Sequence, residues 1–464
     1  MRSNFSLLIR ISALPGMLRT VYRVAHPFLM FASRIYFLAV HLIFQFIHLF
    51  TSRIYVTKPT DGILMISATQ AVQKIINREI SSLELVEAYI HRIEQVNPII
   101  NAVVVKNFDE AREKAREVDA RIADAADSEL DEVITLMRAA GGILLAISNV
   151  PEVCMWVESS NTIYGRTANP YDARRMAGGS SGGEGALLGA AASVIGIGSD
   201  IGGSIRMPAF FNGIFGMKTT PGVVPLDGHI PEATNYKSQM LRIGPMCRFA
   251  EDIPLLIKVM GGDRVPPLNL DEPVSMRKLK IFYMEGINDV PLIAPLSRDM
   301  RNTLRKAVGY FERKYDLVAH RLDLPLARYA IEMFVVSMYV KGGPKLSEYM
   351  LCVEVQEVFP MCLYAELSIL NGLTRVRVPI GILTVKGVIK FVIPSALISD
   401  RELLFQISYK RDRLVRELKE LLGSDGIFFF PRLIVAPPNS DRLLIAAAKD
   451  LEEGFGGWVP AGPL

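Results

Sequence analysis

Residues 178–216 read GGSSGGEGALLGAAASVIGIGSDIGGSIRMPAFFNGIFG and hold 12 of the chain's 35 glycines. Glycine at that density permits positive φ and close backbone approach, so several amide N–H groups can converge on one ligand oxygen. A phosphate cradle is the first candidate. It is excluded in detail, because no G-x-x-x-x-G-K-[ST] occurs and no G-x-G-x-x-G stands between a strand and a helix. Gly178-Gly-Ser180-Ser-Gly182 also matches the G-x-S-x-G turn that presents a nucleophilic serine. That turn needs a buried strand directly before it, and Asn169-Pro-Tyr-Asp-Ala-Arg-Arg-Met176 reads as polar and turn-like. Its base would have to be His229 or His320, and neither has telling neighbours. Tight helix–sheet packing is the purely structural account of the same glycines.

Outward from this centre the chain reads as α/β. Ser67-Ala-Thr-Gln70 and Ser81-Ser-Leu-Glu84 have the form of capping boxes opening amphipathic helices. In the second, Leu83, Val86, Ile90 and Ile93 recur at spacings of three and four, which predicts one buried face; Asn97-Pro98 is expected to end it. Asn101–Val105 reads as a strand, and 108–126 as a helix with Ala111, Ala115, Val118 and Ile122 inward. Asp131–Ala140 reads as a further helix closed by Gly141-Gly142, before an apolar strand over Ile143–Ile147. Two helical stretches thus meet across Asp127, Glu129, Asp131 and Glu132 with no strand between them, where an alternating α/β chain ordinarily has one. Residues 350–398 are apolar and show no clear period.

The 464 residues are half hydrophobic, which excludes disorder as the dominant state. Cys154, Cys247, Cys352 and Cys362 form no C-x-x-C pair, which argues against a disulfide scaffold or a zinc module. The net charge of +4 divides unevenly: residues 1–60 carry seven basic residues and no acidic one, leaving −3 on the rest. A mildly acidic body gives no support for nucleic-acid binding. Residues 25–50 contain a single charge, Arg34. As a helix they would span about 39 Å, enough for a bilayer core. The uncharged part from Ile35 would reach only about 24 Å, so Arg34 would have to snorkel. The apolar run is too long for a signal peptide, and a buried core helix is the alternative. The basic residues ahead of Arg34 favour a cytosolic amino terminus with the body on the other side.

Gly178-Gly-Ser-Ser-Gly-Gly-Glu-Gly185 followed by Gly198-Ser-Asp-Ile-Gly-Gly-Ser-Ile-Arg206 closely resembles the amidase signature family. The resemblance extends to Asn149-Val-Pro-Glu152, Tyr164-Gly-Arg-Thr-Ala-Asn-Pro-Tyr-Asp172 and Gly213-Ile-Phe-Gly-Met-Lys218. With the apolar amino-terminal segment, it is most similar to the membrane-anchored fatty-acid amide hydrolases, the second type in particular. It implies an α/β fold with a central mixed β-sheet flanked by helices, divided into an anchor over 1–60 and an amidase domain over 61–464. It implies a lipid-metabolic hydrolase of fatty-acyl amides at an endomembrane, single-pass, with no metal or cofactor, and leaves room for an oligomer. Its partners are then the lipid bilayer and a fatty-acyl amide.

The family works through a Ser–Ser–Lys triad. By resemblance Ser204 is the nucleophile and Ser180 the bridging serine, held in a non-proline cis peptide. The N–H groups of Ile201, Gly202, Gly203 and Ser204 form the oxyanion hole. Asp200 and Arg206 buttress that loop as an ion pair, and Ser181 supports it. A serine hydroxyl is weak until a base takes its proton, and the tetrahedral oxyanion needs preorganised donors. The third member, a lysine in a Gly-x-Pro-x-[Ser/Thr]-x-Lys segment, has no counterpart here: the lysines before Ser180 are Lys58, Lys74, Lys106 and Lys114. Lys106 lacks the Gly-x-Pro lead-in. The missing segment falls where the α/β rhythm breaks, and a second family segment is absent after Phe428-Phe-Phe-Pro431. Internal deletions near 127–133 and 431–432 are therefore expected, with exposed sheet edges as their consequence. The expected function is an amidase impaired by the loss of its lysine; the alternative is an inactive amidase-like protein that binds lipid amides or a partner.

Overall fold

The structure is a computed structural model and describes residues 16–121, 133–232, 236–287, 290, 296–338, 401–430, 433–437 and 439–461. Both expected deletion points, and the apolar stretch 350–398, lie outside the described residues.

Helix α1 (Gly16–Leu49) contains the apolar stretch Val24–Leu49, of which only 6% is buried against the rest of the protein. Phe28, Phe31, Leu42, Phe46 and Leu49 are all more than half exposed, so α1 is not a core helix. The chain leaving it is tied down at once. Ala173 N–H donates to the Ile54 carbonyl at 2.7 Å, Val56 N–H to the Pro170 carbonyl at 3.0 Å, and Arg53 to the Tyr171 carbonyl at 2.9 Å.

Ser67 caps α2 (Ala68–Ile76), accepting from Gln70 N–H at 3.0 Å. The Gln70 side chain bonds Glu251 instead of returning, so this is a cap and not a box. Ser81 and Glu84 do complete a capping box on α3 (Ser82–Ile100). Val86, Ile90 and Ile93 are buried as the spacing predicts, packed with Ala186, Leu187 and Ala190. Helix α3 continues past Asn97-Pro98 to a left-handed Asn101. A proline in the last turn removes a single helical bond, and Asn97 Oδ1 serves the departing chain, accepting from the Ala102 and Val103 amides at 2.8 Å each.

Strand β1 (Val103–Lys106) precedes α4 (Phe108–Arg121), with Ala111 and Ala115 buried. Next come α5 (Val133–Ala139) and β2 (Ala146–Ser148), shorter than the expected strand. Small hairpins follow: β3 (Ser160–Asn161) with β4 (Gly165–Arg166), and β5 (Ala168–Asn169) with β6 (Asp172–Met176). The glycine-rich centre forms α6 (Gly182–Gly189), β7 (Ile195–Asp200), α7 (Arg206–Asn212) and β8 (Phe215–Gly216). After α8 (Tyr236–Met240), β9 (Arg242–Cys247) pairs antiparallel with β7 from Ile195↔Cys247 to Asp200↔Arg242, and α9 (Asp252–Gly261) covers it. The remainder contributes β10 (Lys280–Tyr283), α10 (Arg298–Tyr315), β11 (Ala319–Arg321), α11 (Ala330–Met338), α12 (Arg401–Leu422), β12 (Gly426–Phe430), β13 (Leu433–Val435) and α13 (Asp441–Phe455).

Mixed pairing is concentrated in the sheet β11–β10–β12–β13, where the first three strands are parallel and the last antiparallel. Among the described residues β2 pairs only with β1, and β7 only with β9. Each therefore has an open edge. The Glu184 carboxyl reaches between them, hydrogen-bonded to Ser148 of β2 and so close to Gly196 of β7 that a Cβ there would collide with it.

Candidate active site

Two loops meet at the carboxyl end of β7. The first runs from Gly178 into α6 and holds a cis peptide between Gly179 and Ser180. Ser159, fully buried, clamps it: its hydroxyl donates to the Ser180 carbonyl and accepts from Gly182 N–H, both at 2.9 Å, while its own N–H reaches the Gly178 carbonyl. Gly183 lies so near Asn149 that a Cβ would stand 2.4 Å from that residue's nitrogen, so helix and strand end touch backbone to backbone. The run before this loop, read as turn-like, is strand β6. Its polar side chains are satisfied within a surface hairpin, Arg174 donating to Asp172 at 2.9 and 2.8 Å. It is not the buried strand a nucleophile turn requires. His229 bonds the Pro231 carbonyl and His320 lies beside Phe282.

The second loop, Ile201–Ser204, is organised by Asp200, whose side chain is fully buried. Its carboxylate accepts from Gly203 N–H at 2.8 Å, Ile205 N–H at 3.2 Å, and Arg206 at 2.9 and 2.8 Å, with Lys218 Nζ at 3.3 Å. Burial alone would push this carboxyl up; the Arg206 hydrogen bonds and charge, with Lys218 and the Gly203 amide, outweigh it and hold it well below the usual range. Asp200 is thus an anionic pivot.

The peptide planes around this pivot alternate. Lys218 donates to the Ile201 carbonyl at 2.9 Å, which turns the Gly202 N–H to the opposite side of that peptide. Met207 N–H donates to the Gly203 carbonyl at 2.7 Å, which turns the Ser204 N–H away from α7. The Gly202 and Ser204 amides find no acceptor among the described residues, whereas Gly203 N–H is taken by Asp200. Gly203 has φ +130°, a conformation that L side chains rarely adopt. The Phe334 ring from α11 covers Gly202. The two loops are joined directly: Ser181 N–H donates to the Ser204 carbonyl at 3.0 Å, and the Ser181 hydroxyl accepts from Ser199 N–H at 3.4 Å.

The residues singled out in the sequence, Ser180, Ser181, Asp200 and Arg206 with 201–204, therefore occupy one place. Three neighbours escaped that reading. Ser159 bonds across 21 residues with no spacing to signal it. Lys218, within the quoted Gly213–Lys218 run, has its ammonium lowered to about 8 by burial, Asp200 opposing. Cys154 hydrogen-bonds the Ser180 side chain; burial pushes its thiol up, so it is a neutral partner and not a base. No lysine or histidine among the described residues hydrogen-bonds Ser180 or Ser204. Lys106 lies over the Phe108 ring on the exposed end of β1.

An amidase family model matches residues 124–361. Human fatty-acid amide hydrolase 2 (Homo sapiens) is 32% identical over 87% of this chain and 91% of its own length. Fatty-acid amide hydrolase 2-B of Danio rerio is 31% identical over 87% and 92%. A solved structure titled fatty acid amide hydrolase superposes with TM-score 0.57 at 20% identity, covering 84% of this chain and 72% of that one. The human alignment runs over 496 positions but engages 87% of 464 residues, so about 90 positions stand opposite gaps in this chain.

Proposed function

The chain belongs to the amidase signature family of amide hydrolases, and from that footing we propose that it is a membrane-anchored serine amidase of fatty-acyl amides whose turnover is impaired by the loss of the family's lysine. Ser204 is the nucleophile in this reading. Its hydroxyl attacks the amide carbonyl, the Gly202 and Ser204 amides receive the developing oxyanion, and Ser180 passes the proton toward the leaving amine. Asp200, Arg206 and Lys218 act at one remove by fixing the peptide planes.

The observation that carries the reading is the pair of joined serine loops with, among the described residues, no lysine or histidine bonded to either serine. A nucleophile with its oxyanion donors but no base retains part of the catalysis, because the two contributions are separable. The chain then divides into an anchor over 1–60 and an amidase domain over 61–464 with deletions near 127–133 and 431–432. The unmatched positions of the human alignment support such deletions. The exposed apolar face of α1 supports attachment to a membrane by this one helix, and the basic residues ahead of Arg34 support an amino terminus in the cytosol; an endomembrane is part of the proposal.

A fluorophosphonate probe tests the reading on the membrane-expressed protein beside Ser204→Ala. Slow labelling that disappears in the variant is expected. A folded parent that takes no label overturns the enzyme reading in favour of the inactive, binding one, which the missing base also favours.

A further inference from the structure

A cavity of about 640 Å³ opens between α7–β8 and α13. Neither Ser180 nor any residue of 201–204 lines it, so it is not the space above the serine loops. Much of its wall is apolar, with Ile214, Met217, Ile434, Leu444 and Ala448 facing in. Its size is that of an ordinary small-molecule site.

The polar part of the wall is unbalanced. Arg206 and Lys218 both line the cavity and share one carboxylate, that of Asp200. Arg242, 3% exposed, also lines it and donates to the backbone carbonyls of Ser238, Gln239 and Leu241. No carboxylate lies within ion-pair distance of Arg242 among the described residues. The one acid in the lining, Asp441, is held by the Thr220 amide at 3.1 Å and by its hydroxyl. Of these three cations only Arg206 and Lys218 have a carboxylate partner among the described residues, and it is the same one, Asp200. Charge left unpaired beside an apolar space is unfavourable until an anion meets it.

We propose that this cavity binds an amphiphile with a single acidic head group, the head against Arg242 and Lys218 and the hydrocarbon against Met217, Leu444 and Ala448. A guanidinium donates to carboxylate and to phosphate oxygens alike, so a fatty acid and a lysophospholipid share the required chemistry. The site uses neither serine, but it shares Lys218 with the support of the 201–204 loop.

Photocapture on the full chain in zwitterionic nanodiscs tests it, with a diazirine-bearing fatty acid as probe and peptide mapping as readout. Adducts are expected on α7, β13 and α13. Oleate or lysophosphatidate should compete at least tenfold better than oleyl alcohol, and the stronger of the two acids identifies the head group. Arg242→Met should lower capture about tenfold. Because Arg242 also ties down the α8 carbonyls, Ala448→Trp serves as a second variant that fills the cavity and leaves the cations in place; it should abolish capture at a parental Tm. Ser204→Ala should be captured like the parent. Adducts elsewhere, equal competition by the alcohol, or capture surviving Ala448→Trp would overturn the proposal.

Discussion

Gly203 concentrates the chemistry of the site in one residue. Its N–H is held by Asp200, its carbonyl by Met207 N–H, and its φ of +130° lets both bonds form at once. A Cβ would meet Met207 carbons at 3.1 and 3.2 Å, which a flexible side chain can relieve; the backbone conformation it cannot relieve. Gly203→Ala should therefore cost about 1–3 kcal/mol locally. The Ser204 labelling rate should fall by roughly 10²-fold, the scale of a lost oxyanion donor, while Tm moves by only a few degrees. A labelling rate equal to the parent's would show that the loop tolerates another path. The proposed lack of a base predicts a second result: methylamine buffered near its pKa should accelerate labelling of the parent and leave Ser204→Ala unlabelled. No acceleration at any concentration would mean that proton removal is not the limiting defect. Ser180, Ser204, Asp200 and Arg206 are legible in the sequence because they lie in one fixed motif. Ser159 and Cys154 are not, because their value comes only from where the chain folds back onto Ser180.

Helix α3 buries its apolar face in one core with residues of α4 and α6. Ile93 is 1% exposed within that core, so Ile93→Ala should destabilise by about 2–5 kcal/mol, read as a fall in Tm or in denaturant midpoint. The spacing of its apolar residues makes α3 legible from the sequence; its last turn is not, since Pro98 signals an end that Asn97 and Asn101 postpone. The open edges of β2 and β7 give a different prediction through Glu184. Burial raises its carboxyl to about 7 from 4.5, the Ser148 hydrogen bond opposing. Between those values the folded protein keeps a proton that the unfolded chain has lost, so this group's contribution is full below about pH 4.5 and fades as pH rises to 7. Glu184→Gln, neutral throughout, should gain on the parent by roughly 2 kcal/mol between pH 5 and pH 8. Tm measured across that range in both proteins checks it, and parallel curves would refute it. The break in the α/β rhythm at 127–132 is readable in the sequence; that β2 and β7 each lack a neighbour on one side among the described residues is not.

For the molecule as a whole, removing residues 1–50 should release the body from membranes, assayed by carbonate extraction, because no other helix among the described residues has the length and apolarity to span. Retention of the truncated chain would assign membrane contact to the body itself. Charge asymmetry makes a candidate anchor legible in the sequence, and the exposure of α1 separates it from a core helix. What no composition reveals is how that helix is joined to the body. Arg53, Ile54 and Val56 bind the β5–β6 hairpin within a few residues of Leu49, and β6 leads straight to Gly178 and Ser180. With α1 in the bilayer as proposed, so short a link would remove the freedom of the body to tumble and hold the serine loops at a set orientation to the lipid surface. A long-chain amide would then arrive by lateral diffusion in the leaflet, a search in two dimensions. Its concentration should count as a mole fraction of the lipid, so that adding inert phospholipid at constant substrate slows the reaction while adding water does not.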